Sequence, residues 1–285
     1  MDKIIDFRVR PPYKSFKSEW FFGGDVLKSF QHQSGRPVGK SAEEMSMDLF
    51  MHELDACKIA HAVITGRAGY GNDHPELAGV SNEDVVELVE RNPKRFTGVI
   101  SVDTSDCEKA LAQIDQFVVD GPCKGVAIEP AFSKAPCRWD DKSLYPIYNK
   151  CEKIGAFVIL TAGVQYDRLD EADPLAFDHV AVDFPNLRMV LSHAGWPYVI
   201  QTIWVALKRN NVWLLPDFYM YESPGRNDYV YAINTMLRDK MMYASAYPLV
   251  SLETAIDCNM NCGIKEDVLP DFMYNNAAKF LGLDD

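Results

Sequence analysis

The chain has 285 residues, 47% of them hydrophobic and 25% charged, with a formal net charge of −12. That length carries a large core, either as two ordinary domains or as one α/β barrel of roughly 250 residues, and the composition is that of a soluble globular protein. An acidic balance without a basic cluster argues against nucleic acid and anionic membrane as partners, and no run of ~20 apolar residues occurs.

The first element is the stretch "KIIDFRVRPP", residues 3–12, ended by Pro11 and Pro12. Ile5, Phe7 and Val9 alternate with Asp6, Arg8 and Arg10, so a strand would put those three polar side chains on one face. The start, "MDKIIDF", lacks the apolar run of a signal peptide, and a cytoplasmic location is expected. Seven further strands are expected over 60–65, 96–102, 124–129, 157–161, 187–192, 211–215 and 240–245. Most are too apolar for a half-exposed sheet and fit a parallel sheet covered by helices.

Helical patterns alternate with these runs. Ser41-Ala-Glu-Glu44 reads as a capping box ahead of Met45, Leu49 and Leu54, and Ser81-Asn-Glu-Asp84 as a weaker one ahead of Val85, Leu88 and Val89. Later helices are expected over 106–119, 143–154, 172–183, 197–209, 226–238, 249–260 and 265–281. No linker or low-complexity tract divides the chain, so residues 1–285 read as one domain. The stretch 11–40 is too long for an ordinary connection. Its Trp20, Phe21 and Phe22 fit a lid over substrate or, equally, an apolar cluster pinning the loop. The seven cysteines are scattered without a C-x-x-C pair, and read as reduced thiols rather than a zinc site.

Three later stretches bear on function. "LSHAGWP" (191–197) ends the sixth run, "YASAYP" (243–248) the eighth, and "NNAAKFLGL" (275–283) lies in the last helix. With "IIDFRVRPP" they resemble the amidohydrolase-related family, in the branch of metal-dependent barrels that includes aminocarboxymuconate-semialdehyde decarboxylases and related lactonases. The resemblance implies a single (β/α)8 TIM barrel with a long loop after strand one. It also implies a divalent metal, held by an I-D-x-H-x-H motif, a histidine ending strand five, one ending strand six and an aspartate ending strand eight. Here the first two places hold Arg8 and Arg10, the third Thr161 and the last Ala246, and only His193 remains. A lysine and a histidine that relatives carry near strand four read Ala127 and Glu129.

Guanidinium groups have no lone pair for a metal, and two of them repel a divalent ion. No catalytic metal and no other cofactor are therefore expected. Arg8 and Arg10 can instead hold a carboxylate or stabilise developing negative charge, which makes a small anionic metabolite the natural partner. His193, its pKa lowered by neighbouring cations, suits a general base. Glu129 reads as a proton acceptor or as a counter-charge to Arg8, and Asp217 as a partner of His193 or as a turn residue. Thr161, Trp196, Tyr219 and Tyr247 are candidate substrate contacts, Tyr247 with a structural alternative in its "YP" context. Arg67, in "ITGRAGYG", is a further candidate anion contact. His32, His52, His61, His74 and His179 have no comparable setting. The reading favoured here is metal-independent hydrolysis of a lactone or similar bond. Metal-free decarboxylation of a small acid is the alternative, and a degenerate enzyme that only binds an anion is a third. Barrels of this type often associate, so a homo-oligomer is admitted.

Overall fold

The computed structural model describes residues 3–18, 22, 35–68, 79–161, 169–170 and 172–283. Seven strands pair in parallel and in chain order. They are β1 (Ile4–Val9), β2 (Ile59–Thr65), β3 (Phe96–Ser101), β4 (Gly125–Ile128), β5 (Phe157–Thr161), β6 (Met189–Ser192) and β7 (Val212–Leu215). Helices return the chain between them: α1 (Met47–Ala56), α2 (Asn82–Arg91), α3 (Cys107–Ile114), α4 (Tyr145–Ile154), α5 (Pro174–Asp183), α6 (Val199–Lys208) and α7 (Arg226–Ile233). After the eighth run come α8 (Leu252–Met260) and α9 (Asn276–Leu281). This is a TIM barrel. No helix among the described residues is long and apolar enough to cross a membrane.

The eighth run is in place but does not form a regular strand. On the β7 side the Leu214 N–H donates to Lys240 O and the Met242 N–H to Leu214 O. On the β1 side the Phe7 N–H donates to Tyr243 O and the Arg10 N–H to Tyr247 O. Beyond Tyr243 the run cannot stay extended. The Ser245 N–H is taken by the Asp6 carboxylate at 2.9 Å, and Ala246 turns into the left-handed region at φ 57°.

The barrel has two apolar layers. Ile5, Phe7, Val63, Val99, Ile159, Val190 and Leu215 fill its interior, and a larger cluster lies between strands and helices. Phe280 of α9 plugs the amino end, its ring 5.4 Å from Phe7, 5.2 Å from Phe157 and 4.9 Å from Trp213. Burying such a ring contributes about 1.5–3 kcal/mol, and it leaves the carboxyl end for polar groups.

Strand β1 departs from the expected alternation. Asp6 pairs with Ala62 and Val9 with Ile64, so three steps on β1 oppose two on β2, the signature of a bulge. Ile5 and Phe7 lie in the inner cluster but Val9 in the outer one. The parity therefore switches between Phe7 and Val9, and Arg10 comes to the inner face. Asp6 does not share that face with the arginines, contrary to the strict alternation of the sequence.

The capping box expected at Ser41 is also not formed. Helix α1 begins at Met47, capped by Ser46, whose side chain accepts from the Leu49 N–H. Ser41 lies in a separate turn, Lys40–Glu43, its hydroxyl engaged by Glu53 and Tyr247. Met45 is exposed, off the expected apolar face. Ser81 does cap α2, accepting from the Asp84 N–H, with Val85, Leu88 and Val89 buried. All seven cysteines are free thiols.

Candidate active site

The polar groups gather where the strands end. Arg8 lies near the end of β1, Arg67 just beyond β2, Glu129 directly after β4, Thr161 at the last position of β5, His193 directly after β6 and Asp217 just beyond β7. In parallel barrels the carboxyl face is where ligands bind.

The centre is a buried network. His193 Nδ1 lies 2.7 Å from Asp217 Oδ1, and Asp217 Oδ2 accepts from Ser192 Oγ at 3.1 Å and from Arg8 Nη1 at 3.4 Å. The Phe218 N–H donates to Oδ1 at 2.5 Å and the His193 N–H to Oδ2 at 3.4 Å. Burial raises the Asp217 pKa, but His193, Arg8 and the Phe218 amide outweigh it and hold the carboxyl below its usual range. An ionised Asp217 accepts a hydrogen bond from Nδ1–H, so Nε2 carries the imidazole lone pair. Burial pushes the His193 pKa down, Arg8 and Arg10 add to this, and Asp217 opposes without prevailing. His193 is therefore a neutral base at pH 7.

The turn that presents this histidine is left-handed over three residues, with φ 62° at His193, 44° at Ala194 and 70° at Gly195. Asp217 is also left-handed, at φ 36°. Such conformations cost of order 1–3 kcal/mol each for residues with side chains and cluster at functional sites.

Glu129 is the second anion. Arg67 Nε lies 3.5 Å from its Oε2, with both side chains buried, and Thr161 hydrogen-bonds to it. Burial raises the Glu129 pKa, yet Arg67, Arg10 and Arg8 together with Thr161 bring it below the usual value. Burial lowers Arg8 to about 10, Arg10 adding to the effect, so it stays charged at neutral pH. Arg8 lies in Coulomb contact with Arg10, Arg67, Asp217 and Glu129, and Glu129 with Arg67, Arg10 and Arg8. Asp6 stands apart. Its Oδ1 accepts from the backbone of Arg8 and Ser245, and burial raises its carboxyl to about 7.

An aromatic wall flanks the histidine. Trp196 and Tyr219 stack at 4.7 Å and 8°, and Tyr219 meets His193 edge-on at 5.4 Å. The Trp196 indole N–H donates to Pro224 O at 2.9 Å.

The structure thus brings together Arg8, Arg10, Glu129, Thr161, His193, Asp217, Trp196 and Tyr219. Tyr247 is placed elsewhere: its hydroxyl meets Ser41 Oγ at 2.7 Å, and its ring packs 4.9 Å from Phe50 and 6.3 Å from Phe22. It belongs to the outer core, and Phe22 joins it there. Trp20, Phe21, His32 and His74 lie outside the described residues. His52 is exposed on α1, His61 bonds Thr97 at the amino end of β2, and His179 pairs with Asp140 on the surface. The sequence underrated Arg67, although its position two residues beyond a strand end was a signal, and missed Ser192.

A divalent cation does not fit this donor set. The inherited ligand positions hold Arg8, Arg10, Thr161 and Ala246, and among the described residues no three His, Cys, Asp or Glu side chains converge as a metal site.

Fold and site together define the class, a parallel barrel with arginines and a histidine–aspartate pair gathered at its carboxyl face. Comparison with known proteins makes the assignment particular. The amidohydrolase family model matches residues 42–283, and the chain belongs to that family. The chain is 24% identical over 252 residues to the 2-amino-3-carboxymuconate-6-semialdehyde decarboxylase of Dictyostelium discoideum, a match covering 74% of this chain and 68% of that one. A TIM-barrel protein of Bordetella bronchiseptica is 34% identical with a TM-score of 0.92, covering 98% of each chain. The 5-carboxyvanillate decarboxylase LigW of Sphingomonas paucimobilis shares the fold at 15% identity and TM-score 0.69, again over 98% of each chain.

Proposed function

We propose that this chain is a metal-independent carboxy-lyase acting on a small acid that carries a conjugated hydroxyl or enol. The observation that carries the reading is the neutral His193, locked by Asp217 at 2.7 Å and lying in the field of Arg8 and Arg10. Hydrolysis, favoured from sequence alone, gives way to decarboxylation, because the relatives with named activities described above are decarboxylases.

In this mechanism His193 Nε2 takes the substrate hydroxyl proton and returns it to the carbon bearing the departing carboxylate. The C–C bond then breaks and CO2 leaves, its bonding pair flowing back through the conjugated system to the oxygen. Arg8 and Arg10 stabilise the resulting oxyanion, which takes one proton from water, so each turnover consumes one solvent proton. The departing carboxylate belongs against the Trp196–Tyr219 wall rather than the arginines, since a guanidinium on that group would stabilise the ground state. Glu129 stays ionised and offsets part of the arginine charge.

A lone pair on Nε2 equally suits activation of water, so lactone hydrolysis is the second reading. A panel of hydroxyarenoic acids, unsaturated dicarboxylic acids and lactones, incubated in D2O with and without EDTA, separates them. The expected result is CO2 release with one deuterium on carbon, unchanged by chelation and lost in His193→Asn. Ring opening without CO2 would transfer the site to hydrolysis. Tight acid binding without turnover would leave a binding protein, and stoichiometric metal whose removal abolishes activity would end the metal-independent reading.

A further inference from the structure

Thr65 Oγ1 and Glu129 Oε1 are buried and have no hydrogen-bond partner among the described residues. Both residues turn inward. Along β2, Val63 lies in the inner cluster and Ile64 in the outer one, so Thr65, the last residue of the strand, returns to the inner face. Along β4, Ala127 and Ile128 alternate in the same way, which brings Glu129 to that face. Buried polar atoms are almost always paired, and one held unpaired at the ligand-binding end of a barrel is suited to a group of the ligand. Arg67 engages the other Glu129 oxygen, Oε2, and leaves Oε1 free to accept.

Their place on the ring says which part of a substrate they meet. Strands four apart in a ring of eight face each other, so Thr65 of β2 lies across the mouth from His193 beyond β6, with Glu129 beyond β4 beside it on the far arc. A substrate whose reactive hydroxyl meets His193 turns its far edge to Thr65 and Glu129. The chemistry of the pair selects the group on that edge. An ionised Glu129 repels a carboxylate, and an ether or carbonyl offers it no proton. An ammonium would enter the field of Arg67, Arg10 and Arg8, which all act on Glu129. A hydroxyl satisfies both atoms, donating to Glu129 Oε1 while accepting from the Thr65 O–H.

We infer that Thr65 and Glu129 are specificity residues that hold a second hydroxyl of the substrate, on the edge remote from the one His193 deprotonates. The assignment rests on the substrate orientation proposed above and narrows the substrate to a small dihydroxy acid.

The test compares matched probes by calorimetric titration: 2,5-dihydroxybenzoate, whose second hydroxyl lies opposite the first, against 2-hydroxybenzoate and 2-hydroxy-5-methoxybenzoate. Wild type is expected to bind the dihydroxy acid at least ~10²-fold more tightly than either, because the analogues leave polar groups of the site unpaired. Thr65→Val should narrow that preference about 3–10-fold and melt no lower than wild type, since the hydroxyl it removes bonds to none of the described residues. A purely structural hydroxyl would lower the melting temperature and leave the preference alone. In Glu129→Gln, Arg67 claims the amide oxygen and the NH2 group faces the substrate, so the preference should pass to the methoxy acid. CO2 release from the same probes is read separately. A hydroxyl preference without CO2 release overturns the carboxy-lyase reading and leaves this assignment standing, and CO2 release without the preference does the reverse. Equal affinity for the three probes, no binding of the dihydroxy acid at ~10 mM, or a preference that Thr65→Val leaves unchanged overturns the inference.

Discussion

Replacing Asp217 by Asn keeps the shape of the site and removes the charge on which two elements depend. Arg8 Nη1 lies 3.4 Å from Oδ2, with both side chains buried, and the Coulomb attraction across that gap is about 5 kcal/mol at an effective dielectric constant of 20. Arg8 stays buried in the variant, so its lost hydration is not recovered. Removing one partner of such a pair costs about 3–5 kcal/mol. At about 2–4 °C per kcal/mol, Asp217→Asn is expected to melt roughly 6–20 °C below wild type by scanning calorimetry at pH 7. The Asp217 pKa is depressed, so its contribution is present above the unfolded value of 3.8 and is lost as pH falls through the folded one. The gap between variant and wild type should therefore close below pH 3.8. The double variant Arg8→Met, Asp217→Asn removes the stranded cation and is expected to recover at least ~2 kcal/mol of the loss. Turnover should fall by about 10⁴, the scale seen when the carboxylate behind a catalytic histidine becomes an amide. A single variant melting within about 2 °C of wild type, or a double variant no more stable than the single, would refute the buried-pair reasoning.

The remaining expectations follow from neighbouring groups. Asp6 is raised from 3.8 to about 7 by burial, so the folded state loses stability as pH rises between those values, by up to about 4 kcal/mol. Asp6→Asn should accordingly melt above wild type at pH 8 and lose that advantage at pH 4 in parallel thermal scans. Burial lowers the His193 pKa from 6.5, so turnover should fall on the acid side as the base protonates, with its midpoint below pH 6.5. His193→Asn should lose at least ~10²-fold at neutral pH and lack that acid limb. Arg10→Met should lower kcat about 10²–10³-fold with a smaller change in KM, as expected for loss of a group that stabilises the oxyanion.

Sequence reading and structure agree most closely where periodicity decides. Strands β2 to β7 lie within one or two residues of their expected spans because each is a short apolar run bounded by turn residues, and α2 starts at the serine that its pattern names. Agreement ends where contacts distant in sequence compete. Ser41 matches a capping box, but Glu53 and Tyr247 claim its hydroxyl. Asp6 sits in perfect alternation with two arginines until a bulge against β2 separates them, and nothing local in "IIDFRVR" marks an inserted step. The eighth run reads as a strand but spends its Ser245 amide on Asp6. At the site, the position of Arg8, Glu129, Thr161 and His193 at or just beyond strand ends was legible from the apolar runs. The pairing of Arg67 with Glu129 was not, because the two lie on different strands and only closure of the barrel brings them together.

Gly195 shows how narrowly the turn that presents His193 is tailored. A methyl group there would sit 2.4 Å from Thr202 Cγ2 and 2.8 Å from its Oγ1, in a backbone conformation that side chains resist. Thr202 belongs to α6, the helix whose far side presents Trp204 to solvent. Even alanine at 195 would have to push that helix outward or swing the imidazole off its carboxylate. Wherever Gly195 is altered in a library of variants, the scar should therefore surface at the His193 imidazole or at the outer wall of the barrel.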